Sequence, residues 1–271
     1  MAVALAPATT EEIMSVALSR QFRAREHAFI GLGTGDRAFI YAVGIPTVAA
    51  QLAADRGVDF CLQYGTLLDP SITGIPDSLG DPDLLDWECA ARLPVERCLD
   101  VFRRGLMTCS FISGAQIDKF GNLNSVRIGR EGPPKVRLTG PIAQADHAVF
   151  AQRTFVIMPH ERRVFVDRVD FISAPGHGDG PGWRERQGLP GGGPDKVITD
   201  KAVLGFDAVS RRMTLDSVHP GVTVDEVVAA TGFELLIPAG VGETPSPSAA
   251  ELAAIRGRID PTGKLLQARI K

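Results

Sequence analysis

The sequence of 271 residues lacks the spacings and segments that mark several large classes of protein. Its four cysteines form no Cys-x-x-Cys pair and its five histidines form no His-x-x-x-His pair, so the usual spacing of a zinc site is missing. No apolar run approaches the roughly 20 residues that cross a bilayer, and residues 1–7 lack the basic and apolar regions of a signal peptide. We therefore expect a cytoplasmic protein with reduced thiols, no resident metal and structural histidines.

An excess of charge of one sign is also missing. The chain carries 29 lysine and arginine residues against 32 aspartate and glutamate residues, which gives a formal net charge of −3. Nucleic acids and anionic membrane surfaces attract a concentrated basic patch, so we expect neither of them as a partner. The apolar fraction of 44% and the mean hydropathy of +0.06 are sufficient for a large core. We expect a single domain over residues 1–271.

Short apolar segments alternate with helical patterns in the first half of the chain. Strands are predicted at residues 27–33, 58–63 and 106–112, and helices behind the Thr9–Glu12 capping box, at residues 36–56 with an interruption at 44–46, and at residues 95–104. Alternation of this kind is typical of parallel sheets that are covered by helices on both faces. The sequence therefore predicts an α/β fold with a mainly parallel sheet.

The second half of the chain contains more strand signal and one long segment rich in glycine. Strands are predicted at residues 154–158, 164–172, 196–199, 202–206 and 212–218, and helices behind Thr223 and at residues 248–258. Residues 173–194 contain eight glycines and four prolines, which favours either a flexible loop or an ordered lid.

The first candidate site is a turn with three glycines at residues 31–36, directly after a predicted strand. Glycines there, Gly31 and Gly33 above all, let the backbone approach a ligand and direct N–H groups towards an anion. The turn lacks the last glycine of a dinucleotide fingerprint and the Lys-Ser/Thr ending of a phosphate-binding loop. It is either a ligand-binding turn or an ordinary strand–helix connection.

A second candidate follows the strand predicted at residues 106–112. Gly114 and Ala115 leave backbone N–H groups free at the end of this strand, and Gln116 adds a side-chain amide donor. Together these donors could form an oxyanion hole for a thioester or acyl carbonyl. The alternative is a hairpin turn whose polar groups satisfy one another.

Ordered motifs along most of the chain resemble one known family. They are GLGTG (31–35), GAQID (114–118), GNLNS (121–125), IG (128–129), PHERR (159–163), GDGPGWRER (178–186), GLPG (188–191), VITD (197–200), HPG (219–221), TGF (231–233) and IDP (259–261). In these motifs the chain is similar to the second (β, or B) subunit of the family I coenzyme A-transferases, and most of all to the glutaconate coenzyme A-transferase branch.

The resemblance implies an open α/β/α sandwich and a homologous α subunit as partner, in a heterotetramer or a larger assembly. It also implies an acyl-CoA site between the unlike subunits, with coenzyme A entering as part of the substrate and no tightly bound cofactor. In the family, a B-subunit glutamate in a Glu-Ser-Gly or Glu-Asn-Gly segment at the end of an early strand attacks the thioester. It forms an acyl anhydride and then a glutamyl–coenzyme A thioester.

The chain departs from the family pattern at this catalytic position, where it has Gln63-Tyr64-Gly65. An amide oxygen is a poor nucleophile, although Gln63 can orient a water or a substrate by hydrogen bonding. Cys61, two residues earlier, would share its face of a strand, either as a nucleophile or as a buried thiol. Relatives that lost the carboxylate are a decarboxylase of a glutaconyl-CoA-type substrate and a ring-opening hydrolase.

Three functions stay open on the sequence. The first is a coenzyme A-transferase acting on the thioester of a (di)carboxylic acyl-CoA, which the resemblance favours. The second is an acyl-CoA hydrolase, C–C lyase or decarboxylase that works without the glutamyl intermediate, which Gln63 favours. The third is a non-catalytic subunit that shapes the active site of its partner.

Overall fold

A ten-stranded mixed sheet forms the centre of the computed structural model, which describes residues 6–31, 36–71 and 85–267. The strands and the two small hairpins comprise β1 (His27–Ile30), β2 (Cys61–Tyr64), β3 (Leu67–Pro70), β4 (Cys89–Arg92), β5 (Cys109–Ile112), β6 (Gln116–Ile117), β7 (Leu123–Asn124), β8 (Arg127–Ile128), β9 (Val136–Arg137), β10 (Arg153–Ile157), β11 (Pro194–Ile198), β12 (Ala202–Phe206), β13 (Met213–Val218) and β14 (Gly242–Glu243). The pairs β6–β7 and β8–β9 lie outside the main sheet.

The order of the strands in the main sheet is β14-β13-β12-β11-β10-β5-β1-β2-β3-β4. Its five central strands, from β11 to β2, are parallel, and antiparallel strands extend the sheet beyond β2 and β11. The predicted α/β fold with a mainly parallel sheet is confirmed. From β1 the chain adds β2 on one side and β5 on the other, so the winding reverses between β1 and β5. Crevices for ligands form at the carboxyl ends of strands at such a switch point.

Eight α-helices are found within the described ranges. They are α1 (Thr10–Ser19), α2 (Asp36–Phe39), α3 (Ile45–Asp55), α4 (Val95–Arg103), α5 (Gln144–Phe150), α6 (Trp183–Arg186), α7 (Val224–Ala229) and α8 (Ala249–Ala254). Three of them begin with a capping box, in which a hydroxyl accepts from the backbone three residues on and a glutamate accepts from the cap residue: Thr9 with Glu12, Thr223 with Glu226 and Ser248 with Glu251. The three predicted helix starts are confirmed.

The helix predicted at residues 36–56 is not interrupted. A π-helical turn, Ile40–Gly44, joins α2 to α3, and Pro46 follows this turn, so the N–H that proline lacks is missing where the hydrogen-bond pattern is already irregular. Gly44 is required there, because a Cβ on it would overlap the carbonyl oxygen of Leu265. The glycine thus lets the C-terminal segment pack against the helix.

By length and composition alone, the 19-residue helical stretch Arg37–Asp55 could cross a membrane, contrary to the expectation from the sequence. In this protein, 67% of its most apolar window is buried inside the fold. The buried side chains of α3 belong to the largest core cluster, together with those of α1 and of one face of the sheet.

Both faces of the sheet are covered, as the pattern predicted. Ala28 and Ile30 of β1 pack into the cluster that contains α1 and α3. Phe29, which points to the opposite face, packs with Phe102 of α4 and with Ala151 at the end of α5. The central strands are therefore buried on both sides.

Two predictions for the second half can be compared with the structure: a strand at residues 164–172, and either a flexible loop or an ordered lid at residues 173–194. Residues 164–172 form no regular strand, because their backbone makes only isolated bridges, Phe165 with Ile117 and Val166 with Gly232. Residues 173–194 form an ordered segment that contains α6 and is fixed by the buried guanidinium of Arg184. This group donates to five carbonyl oxygens, those of Ala148, Val149, Pro175, Gly176 and Gly191.

Candidate functional site

A cavity of about 910 Å³ opens at the carboxyl ends of β1, β2 and β5, at the switch point of the sheet. The strand ends contribute Phe29, Gly31, Tyr64, Gly65 and residues 111–115, the helices contribute Ala38, Val95, Cys98, Gln144 and His147, and residues 137–143 complete one side. None of the described lining residues comes from 173–194, so this segment is not a lid over the cavity.

The wall is mostly apolar and carries few charges. Arg137 and Asp146 are the charged side chains among the described lining residues. In the ranges that the structure describes, no group of three His, Cys, Asp or Glu side chains is arranged to hold a metal ion. The cavity suits an acyl chain better than a strongly ionic ligand.

Of the two glycines predicted to bind a ligand, Gly31 lies in the cavity wall. A Cβ built on it would be 3.9 Å from Cε1 of His147, an ordinary contact, so the glycine leaves slight extra room at this point. Gly33 lies outside the described residues, and its role stays a prediction.

Gln63 is fully buried at the end of β2 and forms no part of the described cavity wall. Its Oε1 accepts a hydrogen bond of 2.9 Å from Nε2 of His27, and its Nε2 donates one of 2.9 Å to the carbonyl oxygen of Gly65. The thiol of Cys98 donates to the same oxygen at 3.3 Å. Because Gly65 and Cys98 line the cavity, the amide lies directly behind its wall. Both polar atoms of the Gln63 amide, the acceptor Oε1 and the donor Nε2, are thus engaged in hydrogen bonds.

The three residues predicted to form an oxyanion hole, Gly114, Ala115 and Gln116, lie in three different environments. Gly114 and Ala115 line the cavity; the N–H of Ala115 donates to the carbonyl of Asn124, whereas that of Gly114 makes no hydrogen bond to another described residue. The side chain of Gln116 is buried outside the wall, where its Oε1 accepts from Asn124 at 2.8 Å and from the backbone of Asp170 at 3.0 Å. The role of these residues as oxyanion donors stays a prediction, and Gly114 supplies the donor that is available.

The cysteines near the site are poor nucleophiles. Burial, with a smaller effect of Asp69, raises the pKa of the Cys61 thiol to about 11. The pKa of Cys98 is also raised by burial. Since the thiolate is the reactive form, the geometry favours the interpretation of Cys61 as a packed thiol.

Sequence reasoning missed His147, a residue of α5 in the cavity wall that is only 3% exposed. Its ring lies edge-on to Phe29 at 4.8 Å between centroids and is tilted against Phe102 at 4.7 Å. Burial lowers its pKa to about 3, so the imidazole is neutral. No spacing in the sequence marks this residue, because its neighbours come from β1 and α4, which are far away along the chain.

The family of the protein follows from comparison with known proteins. A profile described as "Coenzyme A transferase" matches residues 96–230. The chain is 33% identical over 267 residues to the B subunit of glutaconate CoA-transferase from Acidaminococcus fermentans, a match that covers 96% of this chain and 95% of the relative. It is 33% identical over 250 residues to the B subunit of 3-oxoadipate CoA-transferase from Pseudomonas knackmussii, with 92% of each covered. An α/β protein with its cavity at the switch point of the sheet, the chain belongs to the coenzyme A transferase family. Both of these relatives are B subunits, as the resemblance predicted.

Solved structures show how far the fold extends beyond transferases. The crystal structure of glutaconate coenzyme A-transferase from Acidaminococcus fermentans superposes with a TM-score of 0.83 at 32% identity, covering 97% of this chain and 98% of that one. The structure of the decarboxylase AibA/AibB superposes with a TM-score of 0.76 at 23% identity, covering 94% and 96%. The same fold therefore also occurs in a decarboxylase.

Proposed function

We propose that this chain is the B subunit of a hetero-oligomeric enzyme that acts on the thioester of a (di)carboxylic acyl-CoA. The observation that carries the proposal is the cavity of about 910 Å³ at the switch point, in a chain whose relatives include the B subunits of two transferases. Coenzyme A enters as part of the substrate. The mostly apolar wall receives the acyl chain, and Gly114 lies on the side of the thioester oxygen.

The rim of the cavity supports a homologous α subunit as the partner. Val95 and Ile142 both line the opening and are 70% and 65% exposed. Large apolar side chains at the mouth of a site favour a protein surface that covers them. The partner would close the site and supply the groups that this wall lacks.

Gln63 determines which chemistry this chain can perform. An amide held by His27 and Gly65 cannot form a glutamyl–coenzyme A thioester, so no covalent intermediate is expected at position 63. This observation favours a second candidate function, the hydrolysis or decarboxylation of an acyl-CoA. In hydrolysis, the oxygen of water bonds to the carbonyl carbon, the C–S bond breaks, and coenzyme A leaves with the electron pair and then takes up a proton.

The test uses the chain alone and the complex co-expressed with its α subunit. We expect no acyl-CoA turnover by the chain alone and turnover by the complex, with substrate and product acyl-CoA separated by chromatography. Full activity of the isolated chain would contradict the proposed assembly. A new acyl-CoA that forms only with an acceptor acid identifies transfer, release of free coenzyme A without one identifies hydrolysis, and release of carbon dioxide identifies decarboxylation.

A trapping experiment addresses position 63 directly. Borohydride reduces a glutamyl–coenzyme A thioester to an alcohol, so the complex is incubated with acyl-CoA and then reduced, and the peptide of residues 58–70 is analysed by mass spectrometry. We expect this peptide to be unmodified. A reduced adduct within it would refute the role given to Gln63, and an adduct on the α subunit would mean transfer with the nucleophile on the partner.

A further inference from the structure

One polar ring interrupts the apolar part of the cavity wall and has no role in the chemistry described so far. The imidazole of His147 packs between Phe29 and Phe102 and faces the cavity. No hydrogen bond of its side chain to another described residue is found, although buried polar groups in proteins are almost always paired. Since Nδ1 is shielded, a molecule in the cavity could reach the ring nitrogens only at Nε2.

The environment of the two ring nitrogens decides where the proton lies. Nδ1 is shielded from solvent and has no partner among the described residues, whereas Nε2 is not shielded in this way. A proton on Nδ1 would create a buried N–H without an acceptor, at a cost of about 1–3 kcal/mol. A neutral ring with its proton on Nε2 avoids this cost and presents a donor to a molecule in the cavity.

The helix α5 places this donor beside the end of β5. Gln144, one helical turn before His147, donates from Nε2 to the carbonyl oxygen of Ser113 at 2.6 Å. The same face of α5 is thus tied to the residue that precedes Gly114. On its other side, the ring faces the end of β1, where a Cβ built on Gly31 would be 3.9 Å from its Cε1. The ring of His147 consequently lies at the switch point, between the two strand ends that form the cavity.

We propose that His147 is a catalytic residue whose Nε2–H donates a hydrogen bond to the carbonyl oxygen of the bound thioester, together with the N–H of Gly114. The proposal deepens the proposed function and rests on it. In this proposal His147 takes the place of Gln116 as the side-chain donor of the oxyanion hole, because Nε2 of Gln116 already donates to Oδ2 of Asp170 at 3.4 Å.

A neutral donor suits this task. The thioester oxygen gains negative charge when a nucleophile adds to the carbonyl carbon, and a donor already aimed at it stabilises that charge. Burial keeps the pKa of His147 at about 3, so the ring stays neutral at working pH. It retains its own proton throughout: the new bond forms to the carbonyl carbon, the C–S bond breaks, and its electron pair leaves on the sulfur of coenzyme A.

The kinetic test compares two variants in the complex with the α subunit. His147→Phe keeps a ring between Phe29 and Phe102 but removes the donor, so kcat should fall by about 10²–10³-fold with little change in KM. His147→Gln retains an N–H donor and should keep at least about tenfold more activity than the Phe variant. The matched control, His177→Phe, changes a buried histidine outside the cavity and should retain kcat once folding is verified by circular dichroism. A folded His147→Phe variant with kcat within about threefold of the original protein would overturn the proposal.

A second measurement does not depend on turnover. Nitrogen-15 NMR of the complex labelled at histidine should show His147 neutral and protonated on Nε2 from pH 5 to 8. A ketone analogue of the acyl-CoA, in which CH₂ replaces the thioester sulfur, should move the Nε2–H resonance downfield. A proton on Nδ1, or no response to the bound analogue, would overturn the proposal. A complex that binds the analogue with this shift but turns over no acyl-CoA would instead refute the proposed function.

Discussion

Replacing Gln63 by glutamate restores the family's carboxylate and tests the geometry behind the cavity wall. In the present chain, Nε2 of Gln63 donates to the carbonyl oxygen of Gly65 at 2.9 Å. An ionised carboxylate at position 63 would place a second acceptor oxygen at this distance, with a buried negative charge and no donor between the two oxygens. Leaving buried polar groups unsatisfied in this way costs about 1–3 kcal/mol, and more where a charge is involved.

The loss of stability caused by Gln63→Glu should increase as the pH rises. Burial raises the pKa of the introduced carboxyl above its unfolded value, and its protonated form can donate to Gly65 as the amide does. A folded pKa above the unfolded one means that the variant loses stability as the pH rises from about 4.3 to the raised pKa. The variant should therefore be about 1–3 kcal/mol less stable than the original chain at pH 7.5, and the difference should shrink at pH 5.

Urea unfolding at the two pH values measures this difference, with Gln152→Glu as the matched control. Gln152 is exposed, so its replacement should change the free energy of unfolding by no more than about 0.5 kcal/mol. Equal stability of Gln63→Glu and the original chain at pH 7.5 would refute the hydrogen bonds assigned to Gln63. In the borohydride assay, only a small gain of adduct is expected, because the carboxylate must first leave its position behind Gly65 and Cys98.

Three further predictions concern other parts of the chain. Gln116→Ala should lower the free energy of unfolding by about 1–3 kcal/mol, because it removes the acceptor of two hydrogen bonds, one from the buried Asn124 and one from the backbone of Asp170; a fall in kcat of about 10²–10³-fold without loss of stability would show instead that Gln116 is an oxyanion donor. Gly44→Ala should cost about 3 kcal/mol through overlap with the Leu265 carbonyl, whereas Gly257→Ala, where the new Cβ meets nothing, should be nearly neutral in the same chemical unfolding experiment. The buried His147 has a folded pKa of about 3, below the unfolded value of about 6.5, so its neutral form stabilises the fold above pH 6.5 and about 2 kcal/mol is lost by pH 5. The His147→Phe variant should lack this loss, and an identical pH dependence of unfolding in the two proteins would contradict the burial of the ring.

Elements whose signals are local could be predicted from the sequence. The capping boxes at Thr9, Thr223 and Ser248 mark three helix starts because a hydroxyl and a glutamate three residues apart satisfy each other's backbone groups. The short apolar segments before Gly31 and Ser113 became central strands because both of their faces are covered.

Features that depend on distant neighbours could not be predicted. Residues 164–172 are rich in the β-branched and aromatic residues typical of strands, yet the neighbouring backbone offers only isolated bridges at Ile117 and Gly232. The candidate site could be predicted only in part for the same reason. The sequence indicated small residues and an amide at 114–116, but which donors are free depends on Asn124 and Asp170. His147 acquires its lowered pKa and its place in the wall from helices and strands that the chain reaches much earlier.

The π-helical turn Ile40–Gly44 absorbs one residue more than an α-helical turn would hold. Because the extra residue is taken up within a single turn, deleting one residue there would restore α-helical winding and leave α2 and α3 in nearly the same relative rotation. The core-packed α3 would keep its position, and Ala38 of α2 would stay in the cavity wall. The turn thus lets the chain between the cavity and the core lose a residue without altering any strand end.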